Sequence, residues 1–211
     1  MNARDLLPGF ADPVHDSQAT FRVLLAALSE PGTVQAIPAA VAGPQPLGPA
    51  MTAAVLTLAD LETPVWLDIA NDVAACQVID YLSFQCGSTI IDVPAAAAFA
   101  LVTHPQRLQL ARFAQGSMDY PDRATMLLVQ VASLTAGPQR MLCGPGIREQ
   151  QAIHIAGLPA DFDAQWYANG AGFPTGVDLV FCCGDRIVGL PRTTRIDDSI
   201  VITEKNQCMS Q

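Results

Sequence analysis

The run ATMLLVQVASL at residues 124–134 is apolar and rich in leucine and valine. Strands that are buried on both faces of a sheet have continuous hydrophobic runs of this kind, so the run predicts a central strand. Gly184-Asp185 favours a hairpin turn between the last two strand candidates. The other strands are predicted at residues 65–69, 99–103, 140–143, 152–155, 177–183 and 186–190.

Helices are predicted between these strands. Asp12-Pro13 is a typical N-cap and first-turn pair, and Pro31-Gly32 ends the first helical pattern. A second helix is predicted at residues 49–62, and a third starts at an Asn71 cap and ends before Gly87. Shorter helices are predicted at 106–115 and 160–167. The apolar face of the first helix is expected to contain Val14, Gln18, Phe21, Leu24, Leu25 and Leu28, and that of the second Met51, Val55, Leu58 and Leu61.

The alternation of helices and strands indicates an α/β fold with a mixed central sheet flanked by helices. With 211 residues, half of them hydrophobic, the chain is long enough for one domain over residues 1–211. The tail from about residue 197 is predicted to be flexible.

The charge and hydropathy exclude several function classes. The net charge is −9, and residues 1–100 hold two Arg against ten Asp and Glu, which disfavours nucleic acid as a partner. The apolar run 93–103 is shorter than a membrane span and contains Pro94. The first ten residues have no apolar stretch of signal-peptide length, so we expect a cytoplasmic protein that does not bind membranes.

The cysteines and histidines do not form a metal-binding motif. The six cysteines include no C-x-x-C pair, so we expect no metal and interpret Cys182 and Cys183 as small packing residues. A single metal contact by His15, His104 or His154 stays open as an alternative.

The segment LPRTTR at residues 190–195 is the strongest candidate for a functional site. Arg192 and Arg195 supply planar guanidinium groups, and Thr193 and Thr194 supply hydroxyls, which together suit a phosphate, a carboxylate or a partner protein. The alternative is a surface loop that pairs with the protein's own acids. If Arg192 makes such an external contact, its substitution should affect assembly more than stability.

Three further residues are weaker candidates. His15 and Arg22 lie on a polar stripe of the first helix, which is either a solvated face or an anion or partner contact. Asp178 could act as a general base or a partner contact, or cap its own loop. Gly144-Pro145-Gly146 is interpreted as a tight turn rather than a phosphate loop, because it lacks the Gly-Lys-Ser/Thr of a P-loop. The sequence shows no nucleophile–base pair, so we assign no catalytic residue.

Four segments dense in glycine and proline occur in the same order as in a known family. These are LPGFADPVHDSQ (7–18), GPGI (144–147), NGAGFPTGVD (169–178) and LPRTTR (190–195). The chain resembles the PhnH family, a subunit of the bacterial carbon–phosphorus lyase system that degrades phosphonates. The resemblance extends from about Leu7 to Ile196.

The resemblance implies a fold similar to that of pyridoxal-phosphate-dependent transferases. That chemistry needs a lysine for the Schiff base, and the chain has one lysine, Lys205, in its polar tail. We therefore expect the fold without the cofactor, since fold does not imply function.

The resemblance also implies an accessory role. Members of the family assist a complex that forms ribose 1-methylphosphonate 5-triphosphate from ATP and a phosphonate, and they are associated with homodimers. The expected partners are the other subunits of the complex and a second copy of the chain. The alternatives are a stand-alone transferase or hydrolase for a phosphorylated small molecule, acting through Arg192, Arg195 and His15, and a homodimeric scaffold without a ligand.

Overall fold

The computed structural model describes residues 7–39, 41–69 and 72–197. Three predictions fall outside these residues: the Asn71 cap, the position of Lys205, and the flexible tail beyond Asp197. The four α-helices are α1 (Pro13–Ser29), α2 (Pro49–Leu58), α3 (Asp72–Gln85) and α4 (Phe162–Ala171). The strands are β1 (Gln35–Ala36), β2 (Val65–Asp68), β3 (Ile90–Ile91), β4 (Phe99–Val102), β5 (Met126–Gln130), β6 (Gln139–Cys143), β7 (Gln151–His154), β8 (Asp178–Cys183), β9 (Arg186–Leu190) and β10 (Arg195–Asp197).

Seven of these strands form the main sheet, in the order β1-β9-β8-β5-β4-β2-β3. β5 lies in the middle and is parallel to both of its neighbours, β4 and β8. β9 is antiparallel to β8, to which Gly184-Asp185 connects it, and β1 is antiparallel to β9. The predicted central strand, the hairpin and the mixed character of the sheet are all confirmed.

Both faces of the main sheet are buried, which explains the continuous apolar sequence of β5. Leu128 packs on the face covered by α1, α2 and α3, whereas Leu127 and Val129 pack on the face covered by α4. Successive side chains of a strand point to opposite faces, so a strand between two helical layers needs apolar residues at every position.

The helix α1 begins and ends where the sequence predicts, but of its predicted apolar face only Leu24 is fully buried. Its buried residues are Thr20, Leu24 and Ala27, while Val14, Phe21 and Leu25 are exposed. The cause is a close approach to β9 at Gly189, where a Cβ atom would lie 2.3 Å from the carbonyl oxygen of Ala27. Small residues face the sheet at this contact, so the larger apolar side chains of α1 are turned outwards.

Two other predicted helices are shorter than expected. α2 ends at Leu58, because Asp60 and Thr63 form a local turn in which Asp60 Oδ1 accepts from the amide of Glu62. Leu61 is therefore exposed rather than buried. The segment 106–115 contains two short 3-10 turns instead of a helix. Gln165 of α4 accepts from the amide of Leu110 and donates to the carbonyl of Leu108, which occupies groups that a helix would use.

A second sheet was not anticipated from the sequence. β6 and β7 were predicted as strands, but they pair with β10 in a separate three-stranded sheet of order β10-β6-β7. This sheet lies on the α4 side of the main sheet, since Leu142 and Ile153 share a hydrophobic cluster with Phe162 and Trp166. The segment 191–194 therefore connects the two sheets.

Residues 7–39, 41–69 and 72–197 contain no helix that is long and apolar enough to cross a membrane. Within the same residues, no three His, Cys, Asp or Glu side chains are grouped as metal ligands. Cys182 is buried, and burial raises the pKa of its thiol, which suits the predicted packing role. Cys183 is only partly buried.

Candidate functional site

Arg192 is held by Asp178, the first residue of β8. The Arg192 Nε atom donates to both carboxylate oxygens of Asp178 at 3.1 Å, and the Arg192 amide donates to Oδ1 at 2.7 Å. Nη2 also donates to Oδ2. The side chains are only 14% and 20% exposed, respectively. The pair forms because β8 and β9 are neighbours, and Asp178 starts one strand near the place where the other ends.

The remaining guanidinium nitrogen of Arg192 also binds within the protein. Nη1 donates to the carbonyl oxygens of Pro121 at 2.8 Å and Pro174 at 3.3 Å. Arg192 therefore joins the segments around residues 121, 174 and 178 to its own loop. This is the internal pairing that the sequence left open as the alternative, and from it we expect Arg192 to contribute to the stability of the fold.

The two threonines of the segment differ in how accessible they are. Thr194 is buried, its carbonyl accepts from Trp166 Nε1 at 2.9 Å, and its amide donates to the carbonyl of Pro191 at 2.8 Å. Its hydroxyl oxygen is buried and has no hydrogen-bond partner among the described residues. Thr193 is partly buried. The hydroxyl of Thr194 is therefore inaccessible, whereas Thr193 lies at the surface of the loop.

The Gly144-Pro145-Gly146 segment is a tight turn, as predicted, with the amide of Ile147 donating to the carbonyl of Gly144. The turn packs closely against the 191–194 segment, since a Cβ on Gly144 would lie 2.9 Å from the Thr193 carbonyl oxygen. Gly146 has a φ of +80°, and a Cβ there would lie 2.0 Å from the carbonyl oxygen of Ser29. The turn is thus packed between the loop and the end of α1.

A groove lies between α4 and residues 192–196, and we call it the α4 groove. Its volume is about 520 Å³, and its walls are mainly apolar. Tyr167 and Phe173 are 77% and 61% exposed beside it. Arg195 is also exposed, and its guanidinium makes no hydrogen bond or ion pair within the part of the chain that the structure describes. The groove therefore offers one unpaired cation next to exposed aromatic rings.

Asp163 at the edge of the α4 groove does not neutralise Arg195, because Asp163 pairs with another arginine. Its carboxylate accepts from Nε of Arg140, which is only 8% exposed and lies 5.4 Å from the centre of the Phe162 ring. This pair is not evident from the sequence. Its only sequence signal is an acidic residue in the first turn of α4, which is too common to identify a site.

His15 and Arg22 are separated from the α4 groove. His15 lies in the first turn of α1. Its amide and its Nδ1 atom contact the carboxylate of the N-cap residue Asp12 at 3.1 and 2.8 Å. The amide hydrogen bond, followed by the side-chain contact, lowers the pKa of Asp12. Ser29, the end of α1 that touches the Gly146 turn, lies about 21 Å along the helix from His15. Arg22 is exposed on the same helix. The predicted candidates thus form two separate groups.

Comparison with known proteins gives a consistent result. A family model described as "Bacterial phosphonate metabolism protein (PhnH)" matches residues 8–197. Over 189 residues, 89% of this chain and 94% of the relative, the chain is 38% identical to the alpha-D-ribose 1-methylphosphonate 5-triphosphate synthase subunit PhnH of Rhizobium meliloti strain 1021. It is 30% identical to HtxG of Stutzerimonas stutzeri, named as a candidate C-P lyase subunit, over 85% of each chain.

Proposed function

The chain belongs to the PhnH family of bacterial phosphonate metabolism proteins, and from this premise we propose that it is a cytoplasmic subunit of a carbon–phosphorus lyase complex. The relative with 38% identity is named as a subunit of the synthase of ribose 1-methylphosphonate 5-triphosphate. We infer that this chain assists the same step, the transfer of the ribose triphosphate moiety of ATP to an alkylphosphonate such as methylphosphonate.

The role that we propose is accessory, and the candidate side chains support it. Arg192 and Asp178 bind each other, and His15 lies on a different part of the surface, so these residues do not combine into a catalytic group. We also propose that the protein uses no cofactor of its own. A pyridoxal-phosphate enzyme requires a Schiff-base lysine, and Lys205 in the polar tail is the chain's one lysine. The likeness to the transferase fold stays a prediction.

The α4 groove is the surface that we propose for contact with another subunit. Aromatic residues and arginine are enriched in protein interfaces and at the residues that dominate their binding energy. The groove presents Tyr167, Phe173 and Arg195, which has no partner in the described part of the chain, on a protein whose net charge is −9. The partner surface should therefore place an acidic group opposite Arg195 and apolar side chains against the two aromatic rings.

The first prediction concerns assembly through this groove. In co-expression with the other genes of its locus, Arg195→Ala should weaken incorporation into the complex roughly tenfold, as expected for a contact that contributes more than 1 kcal/mol. Tyr167→Ala should act in the same direction. Affinity purification followed by size-exclusion chromatography measures the bound fraction.

Arg148→Ala is the matched control, because Arg148 is an exposed arginine outside the groove. It should assemble like the unmodified protein. Unchanged incorporation of both the Arg195 and Tyr167 variants would contradict the groove assignment. Turnover of ATP with methylphosphonate by the rigorously purified chain alone would instead support the stand-alone enzyme.

We also propose that the chain forms a homodimer, with the outer face of α1 as the contact. Val14, Phe21 and Leu25 are 74%, 44% and 49% exposed and recur at helical spacing, so they form an apolar stripe on the surface. A second copy of the chain would bury this stripe against its own, since a two-fold interface uses the same patch on both protomers.

The second prediction tests this interface. Phe21→Glu should convert the isolated protein from dimer to monomer, because two added charges would face each other across a two-fold axis. Sedimentation velocity measures the change. Phe84→Glu is the control, because Phe84 is an exposed aromatic residue on a different helix, α3. An unmodified protein that sediments as a monomer, or a Phe21 variant that remains a dimer, would refute the proposal.

A further inference from the structure

The strand β10 is the outer strand of the small sheet, and it borders the α4 groove. The order of the sheet is β10-β6-β7, so β10 pairs with β6 along one edge. Residues 195 and 196 of β10 line the groove. An outer strand presents amide and carbonyl groups along its second edge, and a further extended chain can pair with them.

The alternation of the backbone shows which groups of β10 point away from β6. Thr194, directly before β10, has its carbonyl turned towards α4, where it accepts from Trp166 Nε1 at 2.9 Å. The amide and carbonyl of one residue in a strand point to one edge, and those of the next residue point to the other edge. Ile196 therefore faces the same side as Thr194, whereas Arg195 and Asp197 face β6.

The other strands of the small sheet agree with this assignment. Leu142 of β6 lies opposite Ile196 on one side and opposite Gln151 of β7 on the other. If Ile196 faces outwards, Leu142 must bond to Gln151, and the next residue of β7, Ala152, must face away from β6. The carbonyl of Ala152 accepts from the side-chain amide of Gln151 at 3.2 Å, as expected for an outward group.

The amide and carbonyl of Ile196 are thus an exposed donor and acceptor beside the groove. Neither group has a hydrogen-bond partner among residues 7–39, 41–69 and 72–197. A single extended chain satisfies both groups at once, because its own acceptors and donors recur at the spacing of a strand.

The helix α4 forms the opposite wall of the groove along the whole segment. Trp166 contacts Thr194, and a Cβ on Gly170 would lie 4.0 Å from the carbonyl oxygen of Arg192. α4 therefore runs alongside residues 192–196. Gly170 and Ala171, which also line the groove, have little or no side chain, so they leave room for a bound chain.

The two faces of β10 determine the side chains that an added strand should carry. Ile196 packs against the hydrophobic cluster that contains Leu142 and Trp166. Arg195 is the preceding residue, so its side chain projects from the opposite face of the strand. Alternate side chains of an added strand would then meet either the apolar groove or the guanidinium of Arg195. Opposite charges on neighbouring strands attract, so the second position suits a carboxylate.

We propose that the α4 groove binds an extended segment of another subunit of the complex as a fourth strand of the small sheet, next to β10. The segment carries a carboxylate beside Arg195 and apolar side chains that point into the groove. Main-chain hydrogen bonds to Ile196 supply affinity, and the alternate side chains supply specificity. The fourth strand rests on the subunit contact proposed above, to which it adds the conformation of the bound segment.

Hydrogen exchange of single amides tests the added strand. It is measured by mass spectrometry with residue-level fragmentation, on the isolated full chain and on the complex co-expressed with the other genes of the locus. In the isolated chain, the Ile196 amide should exchange faster than those of Arg195 and Asp197, which face β6. In the complex, exchange at Ile196 should slow at least roughly tenfold, because the amide gains an acceptor.

Ile196→Pro tests the same hydrogen bond by substitution. Proline lacks the amide hydrogen but is accepted on an outer strand where that hydrogen faces away from the sheet. Ile196→Ala is the matched control, since both variants lose the apolar side chain and only proline lacks the donor. Ile196→Pro should enter the complex roughly five- to tenfold less well than Ile196→Ala, as expected for one hydrogen bond. Thermal unfolding of the isolated variants verifies that both fold, and the exchange measurement needs neither of them.

The outcomes separate the strand from the subunit contact. If Arg195→Ala and Tyr167→Ala weaken assembly while exchange at Ile196 is the same in the complex, the contact stands and the added strand is overturned. If Ile196 is already slow in the isolated chain, the edge is occupied by the residues after Asp197 or, where dilution restores fast exchange, by a second copy, and the partner strand is overturned. Assembly that none of these substitutions affects would remove both proposals.

Discussion

Arg192→Ala should destabilise the protein by about 3–5 kcal/mol, the usual cost of removing one partner of a buried ion pair. The substitution leaves the Asp178 carboxylate, which is 20% exposed, without its charged partner. It also removes the donor to the carbonyls of Pro121 and Pro174. Urea denaturation followed by circular dichroism measures the loss.

Arg192→Lys should recover only part of this stability, since an ammonium group keeps the charge but cannot reproduce the planar fork. Arg192→Ala combined with Asp178→Ala should cost less than the sum of the single changes, because the two residues interact directly. Arg195→Ala, which removes an exposed arginine three residues away, is the control and should stay within about 0.5 kcal/mol of the unmodified protein. If the Arg192→Ala protein unfolds at the same urea concentration as the unmodified protein, the Arg192–Asp178 pair contributes nothing to the free energy of unfolding.

Gly146→Ala should cost about 2–5 kcal/mol, from two separate causes. The φ of +80° is a left-handed conformation that costs an alanine about 1–2 kcal/mol. A Cβ would also lie 2.0 Å from the Ser29 carbonyl oxygen, and such overpacking adds about 1–3 kcal/mol because backbone must move. Thermal and urea unfolding give the difference.

Gly184→Ala isolates the first of these causes. Gly184 has a φ of +59°, and a Cβ there would meet nothing within 4 Å. Its substitution should therefore cost only the conformational part, about 1–2 kcal/mol. If both variants lose the same free energy of unfolding, the backbone at Ser29 moves away from the added Cβ at no energetic cost.

The sequence predicts the parts of the fold that depend on local patterns. The apolar run of β5, the Asp12-Pro13 cap of α1 and the Gly184-Asp185 turn each have a physical cause within a few residues, and each lies where it was predicted. The buried face of α1 depends instead on the absence of a side chain at Gly189, which is far away in the chain. A helical repeat alone cannot show this contact.

In the candidate site, too, the sequence predicts local features but not contacts between residues that are far apart in the chain. The sequence indicates an ordered loop with two arginines. It cannot show that Arg192 binds within the protein while Arg195 has no partner among residues 7–39, 41–69 and 72–197. That difference depends on Asp178, Pro121 and Pro174, which only the strand order brings together. Arg140 and Asp163 were missed for the same reason, since 23 residues separate them in the chain.

The antiparallel direction of β9 has a consequence for where a partner subunit can contact the protein. Because β9 runs back along β8, the chain after Leu190 emerges at the amino edge of the parallel strands, whereas His104 follows β4 at their carboxyl edge. The length of a strand, about 15 Å, therefore lies between the start of the 191–194 segment and the carboxyl edge of the main sheet. A subunit docked in the α4 groove would approach the protein from the amino edge of the main sheet, and the carboxyl edge would stay available for other contacts.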